Sequence, residues 1–213
     1  MPGTVVFDLD GTLVTGDAFG CFLSISLRRN PLRLASVVCT APWWVSAGLR
    51  RGGRERAELL LIWSITVGRS RSGLQRAFDE FAATHVRGRI GVALDRLAEH
   101  LAAGDQVVVA TACAEPLAWA VCAELGLAGG VRVVASPFAH RRGLTPRAVA
   151  IRGELKLEAL QRAGVRLPVA NAYSDDVRDL PLLRAAVRAH LVRPTAADER
   201  AVRADLGDVE VLR

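Results

Sequence analysis

The chain has 213 residues, about half of them hydrophobic, and its 28 basic residues outnumber 22 acidic ones to give a net charge of +6. That supports one domain, or one domain carrying an insertion, around a buried core. It excludes a low-complexity chain and a repeat array, and four cysteines without metal-ligand or short disulfide spacing exclude a disulfide scaffold. The charge is uneven: residues 17–87 hold 11 arginines and five acids, while the remainder is balanced. A local excess suits a local anionic partner. Of the 28 basic residues only one is lysine, Lys156.

In chain order, "TVVFDLD" (4–10) is a short β-branched run ending in acids, hence a buried strand with polar groups at its C-terminal end. Residues 17–87 read almost wholly as helix. The segment 88–104 has apolar residues at helical spacing and a glycine stop, and 106–111 is a buried strand. A helix over 115–126 starts near Pro116, and 131–136 is a strand. Residues 153–164 form a helix ended by glycine, 168–175 a strand, 179–187 a short helix and 189–192 a strand. Thr195 caps a helix over 195–207, and 209–212 is a last strand. This alternation predicts an α/β fold: a Rossmann-like parallel sheet with helices on both faces, built from residues 1–16 and 88–213. Residues 17–87 then form a helical cap inserted after the first strand, above the C-terminal strand ends where open α/β sheets bind ligands.

Those strand ends collect acids. Asp8 and Asp10 close the first strand, Thr111 the second, and Asp175 and Asp176 the strand at 168–175, with Asp179 at the next helix start. Carboxylates gathered at one edge repel and raise one another's pKa. A cation must offset them, and oxygen-only ligands point to Mg²⁺, which typically binds through one or two carboxylates plus a substrate phosphate. With Lys156 nearby, the cluster reads as a phosphoryl-transfer site. Lysine suits it better than arginine, because a compact point charge on a slim stem fits between carboxylates and a phosphoryl group where a wide fork does not. A Cys113 thiolate in a phosphate loop would need an arginine six residues on, where Trp119 stands.

"DLDGTLV" (8–14), Thr111 in "VVVATA", Lys156 in "GELKLEAL" and "YSDDVRDLPLL" (173–183) resemble, in order, the four motifs of the haloacid dehalogenase superfamily, in its phosphoserine phosphatase-like branch. The resemblance covers about two-thirds of the chain. It implies that Asp8 is the nucleophile that forms an aspartyl-phosphate, and Asp10 the general acid and later base. It implies that Thr111 bonds a phosphoryl oxygen and that Lys156 neutralises the nucleophile. Asp8, Asp175 and the Asp10 carbonyl would hold Mg²⁺, with Asp179 fixing their geometry. The second acid favours a phosphatase over a dehalogenase. One departure is Arg178, where related phosphatases carry asparagine before Asp179; it faces solvent or a substrate anion. Asp17 has two readings, a grip on a substrate ammonium or an N-cap for the following helix.

The apolar run at 34–49, flanked by Arg28, Arg29, Arg33, Arg50, Arg51, Arg54 and Arg56, is too short to span a bilayer comfortably. It reads as two packed cap helices bent at Pro42, or as an interfacial segment with Trp43 and Trp44 at headgroup depth and arginines on an anionic membrane surface. Together with "LLLIWSITV" (59–67) this layout resembles the cap of phosphatidylglycerophosphatase C-like members. The expected substrate is a small phosphorylated metabolite, the alternatives being a lipid phosphate, a phosphoryl acceptor other than water, or a phospho-ligand sensor without turnover. No nucleic-acid recognition motif is present. The early acids, which leave no room for a signal peptide, and the unpatterned cysteines suggest a cytoplasmic protein.

Overall fold

A computed structural model describes residues 2–35, 37–39, 62–138 and 150–213. Six parallel strands form one sheet: β1 (Thr4–Phe7), β2 (Gln106–Ala114), β3 (Arg132–Ser136), β4 (Val169–Ser174), β5 (Ala186–Val192) and β6 (Glu210–Leu212), in the order β3-β2-β1-β4-β5-β6. The helices are α1 (Ala18–Arg28), α2 (Arg71–His85), α3 (Gly91–Ala102), α4 (Glu115–Glu124), α5 (Glu154–Arg162), α6 (Leu180–Arg184) and α7 (Ala196–Leu206). Helical residues also occur at 31–35, 37–39 and 62–66. Much of the apolar run at 34–49 lies outside the described residues, including Pro42, Trp43 and Trp44, and so do Arg50, Arg51, Arg54, Arg56 and the start of 59–67. Among the described residues no helix is long and apolar enough to cross a membrane.

β1 is central, so both faces of its residues must be apolar, and they are. Val5 and Phe7 point to one side with Val107, Val109, Leu97, Leu117 and Val121. Val6 points to the other with Val108, Ala110, Leu160, Leu182 and Val202. Helices α3 and α4 therefore cover one face and α5, α6 and α7 the other. Leu74, Phe78 and Phe81 of α2 share the first of these cores, so that helix packs on the body of the molecule. Truncating a residue such as Phe7, fully buried, would cost about 3–5 kcal/mol.

Several boundaries differ from the sequence expectation, among them the helix expected from residue 88, which begins at Gly91. The helix expected over 179–187 is a 3-10 turn, Val177–Asp179, followed by α6, and β5 begins at Ala186. No glycine or proline punctuates "LLRAAVRAHLV", so periodicity alone leaves its middle ambiguous; parallel pairing with β4 from Val169–Ala186 onward decides it. β2 runs on to Ala114 with a register shift against β3 between Thr111 and Ala114.

A row of rings crosses the sheet near its C-terminal edge. Tyr173 stacks on Phe7 on one side and His190 on the other, with centroids 4.2 Å apart in both cases. The Tyr173 hydroxyl bonds His100 Nε2 at 2.9 Å, and His100 Nδ1 bonds Asp105 at 2.7 Å. Asp105 also accepts the Gly3 N–H at 2.7 Å. Every partner complements the next, which fixes β1 and β4 relative to each other just before the strands end.

Candidate active site

The chain leaves β1 through a tight turn. The Asp8 N–H still donates to the Tyr173 carbonyl at 2.9 Å, so β4 holds it. The Leu9 carbonyl then collects the N–H groups of Leu13 and Val14 at 2.9 and 3.1 Å. Gly11 sits at φ +81°, and a Cβ there would stand 2.1 Å from Asp175 Oδ2. Only glycine lets this turn lie against Asp175. Thr12 Oγ1 reaches Asp175 Oδ1 at 3.5 Å. Asp10 is pinned by α1: its Oδ1 accepts the Ala18 N–H at 2.8 Å. Asp17 caps the same helix, accepting the Gly20 N–H at 2.9 Å.

Lys156, on the first turn of α5, is 2% exposed. Its Nζ donates to Asp8 Oδ1 at 2.7 Å and to Asp179 Oδ2 at 2.6 Å. Ser174 Oγ donates to that same Asp179 oxygen at 2.9 Å. Burial pulls the lysine pKa down, but the Asp8 and Asp179 carboxylates more than offset it, so the ammonium is held charged. Burial drives Asp8 the other way, well above the usual carboxylate range; Lys156 pulls back, and Asp179 and Asp10 push further up. Burial also raises Asp10 to about 6, against the pull of the Ala18 N–H. Asp175 is raised to about 6, again chiefly by burial. One ammonium is too little counter-charge for this set.

A cavity of about 170 Å³ opens over these groups. Asp8, Asp10, Lys156 and Asp179 lie at its polar end, and Phe19, Leu23 and Ile62 form an apolar wall. Asp17 lines it, as do Asp176, Arg178 and Arg152. Thr111 and Asp175 do not line it. Thr111 is fully buried; its Oγ accepts the Cys113 N–H at 3.0 Å and stands 3.5 Å from Asp10 Oδ2. Cys113 borders the cavity, but burial raises its thiol well above the ordinary value, which disfavours a thiolate. Sequence reasoning missed Ser174, whose strand-end position beside Asp175 was the available signal. It also missed Arg152 and the apolar wall, which no local pattern marks.

Residues 5–184 match the family model of haloacid dehalogenase-like hydrolases. The chain belongs to that family. Similar solved structures support the fold of this haloacid dehalogenase-like hydrolase across its whole length. A protein of unknown function from Bordetella pertussis Tohama I is 23% identical, with TM-score 0.72, covering 100% of this chain and 99% of that one. A substrate-bound phosphoserine phosphatase is 14% identical, with TM-score 0.60 and coverage of 100% and 94%. A phospho-aspartyl intermediate analogue of phosphoserine phosphatase is 14% identical, with TM-score 0.59 and coverage of 99% and 92%.

Among the described residues, no three Asp, Glu, His or Cys side chains stand close enough to cage a metal alone. The set implied for Mg²⁺ in this hydrolase needs less: two carboxylates and a carbonyl, completed by water and phosphate. Burial raises the carboxylates of Asp8, Asp10 and Asp175, and the one ammonium bonded here reaches only Asp8 of the three; a divalent cation would supply the rest of the counter-charge. The residues present fit the ion.

Proposed function

We propose that this hydrolase is a Mg²⁺-dependent phosphomonoesterase that acts through a phospho-aspartate on a small phosphorylated metabolite. The observation that carries the reading is the Lys156 ammonium bridging Asp8 and Asp179 at the end of a cavity that Asp10 also lines. A carboxylate oxygen of Asp8 attacks phosphorus, and the bond to the leaving oxygen breaks as Asp10 gives that oxygen its proton. A pKa near 6 lets Asp10 act in both directions near neutrality. In the second half Asp10 takes a proton from water, the water oxygen attacks phosphorus, and the acyl-phosphate bond breaks to release phosphate and Asp8. Lys156 balances the charge on Asp8 and on the phosphoryl oxygens, and Asp179, itself held by Ser174, aims Lys156. Thr111, buried beside the cavity with its hydroxyl toward Asp10, would help to position that acid. Mg²⁺, held by Asp8, Asp175 and the Asp10 carbonyl, would supply charge compensation at the phosphoryl group.

In this reading residues 1–16 and 88–213 form the catalytic body and 17–87 the cap, whose Asp17, Phe19, Leu23 and Ile62 line the cavity. A cavity of this size supports a small substrate over a lipid phosphate. The lipid alternative and a peripheral membrane contact rest on the run at 34–49. The test is hydrolysis of a panel of soluble and lipid phosphomonoesters, with Mg²⁺ and with EDTA, by the wild type and Asp8→Asn. Turnover should require Mg²⁺ and Asp8. Binding without turnover would make the protein a phospho-ligand sensor.

A further inference from the structure

Resting on the phosphatase reading, we infer that the alcohol released from the phosphate is small, apolar and uncharged, a short alkyl group or a single ring, and that Phe19, Leu23 and Ile62 select for it. Asp10 sets the direction in which it leaves. The acid that protonates the leaving oxygen accepts the Ala18 N–H at 2.8 Å, at the start of α1. Phe19 is the next residue of that helix, and Leu23, four residues on, lies on the same helix face. Both line the cavity. Gly20 lines it too without a side chain, and a Cβ there would crowd Asp17 Oδ2 at 2.8 Å. The group attached to the leaving oxygen therefore meets the apolar face of α1.

The wall is fixed from behind. Phe19 meets Phe138 edge to face with centroids 6.4 Å apart, and Phe138 meets Phe78 of α2 in the same way at 6.0 Å. Phe19 and Leu23 pack against the core that Phe78 belongs to without being fully buried, and apolar surface is left over for the cavity. Ile62 is buried and still borders the cavity, and its carbonyl accepts Thr66 Oγ1 at 2.8 Å. Residues 112–114, at the end of β2, add two alanines and a cysteine whose thiol burial keeps protonated.

The charges around the cavity answer one another. Lys156 bonds Asp8 and Asp179, Arg178 bonds Asp176, the Ala18 N–H bonds Asp10 and the Gly20 N–H bonds Asp17. Arg152 is engaged as well. Among the described residues that line the cavity, five acids face three bases, so no positive charge is left over for an anion on the leaving group. A hydroxyl set against Phe19, Leu23 and Ile62 would lose its water without gaining a partner. The volume, about 170 Å³, is below the roughly 300–1,000 Å³ of sites for drug-sized ligands, which limits the group to a few carbons or one ring.

The test compares hydrolysis of methyl, ethyl and propyl phosphate with that of 2-phosphoglycolate, which carries a carboxylate, and phosphoethanolamine, which carries an ammonium. Phosphate release in excess Mg²⁺ gives kcat/KM for each. Calorimetry with methyl-, ethyl- and propylphosphonate, which are not hydrolysed, reads binding separately. Both kcat/KM and phosphonate affinity should rise about threefold to fourfold with each added methylene. Propyl phosphate should be preferred to either charged ester by about tenfold or more. Phe19→Asn and Leu23→Asn should each flatten the rise, and the double variant should abolish it. A merely structural role would weaken every ester together and leave the rise intact. A flat series in the wild type, preference for a charged ester, no binding of any phosphonate, or a rise that survives the double variant would overturn the inference. A rise in phosphonate affinity without hydrolysis of any ester would instead sink the phosphatase reading alone.

Discussion

The two ends of β1 carry two aspartate networks of opposite character. At its start, Asp105 accepts the Gly3 N–H and bonds His100, and these bonds hold its carboxyl below the ordinary range. At its end, Asp8 and Asp179 share one ammonium with Asp10 close by, and burial holds Asp8 and Asp10 above that range. The first network is complete in itself and stabilises the fold. The second is short of positive charge, and that shortage is what a phosphoryl group and a metal would relieve. Buried polar chemistry in this molecule is thus divided by strand direction.

Substitutions should separate the two ends. Asp8→Asn should lower turnover by more than about 1,000-fold while leaving the melting temperature close to wild type, since Lys156 keeps Asp179 as a partner. A variant that melts early instead would mean that Asp8 serves the fold. Lys156→Arg should lose most activity, on the order of 100-fold, because the wide fork cannot sit between Asp8 and Asp179; kcat near wild type would remove the argument for a compact charge. His100→Phe should do the reverse. It leaves the Tyr173 hydroxyl without its partner and costs about 1–3 kcal/mol, read by chemical denaturation, with kcat changed only a few-fold. The smallest effect is in pH. Asp10 and Asp175, raised to about 6, hold protons below that pH in the metal-free protein and release them above it. The stabilisation conferred by Mg²⁺ should therefore grow between pH 5 and pH 7.5. A melting shift with Mg²⁺ that is equal at both ends would place the ion elsewhere.

Much of the second network was legible before any coordinates. Asp8, Asp10, Lys156 and Asp179 stand out because strand ends in a parallel sheet converge, and because a lone lysine among arginines marks a position where shape matters. Arg152 was not legible. Its place depends on Ile151 reaching Ser136, a contact across 15 residues of sequence with no local signature. The start of β5 was hidden for a different reason, since an unpunctuated apolar run carries both periods. Thr111, expected to close its strand, lies inside β2, which runs on to Ala114, and Ala112 and Cys113 beyond it border the cavity.

The ring row below the site also equips the molecule with an optical gauge. Tyr173 is the single tyrosine of the chain, and burial pushes its phenol up to about 12, against about 10 for a solvated one. Phenolate absorbance in an alkaline titration therefore comes from one known atom at the centre of the sheet. Its early appearance would register separation of β1 from β4, the very strands that aim the nucleophile, without any label being attached.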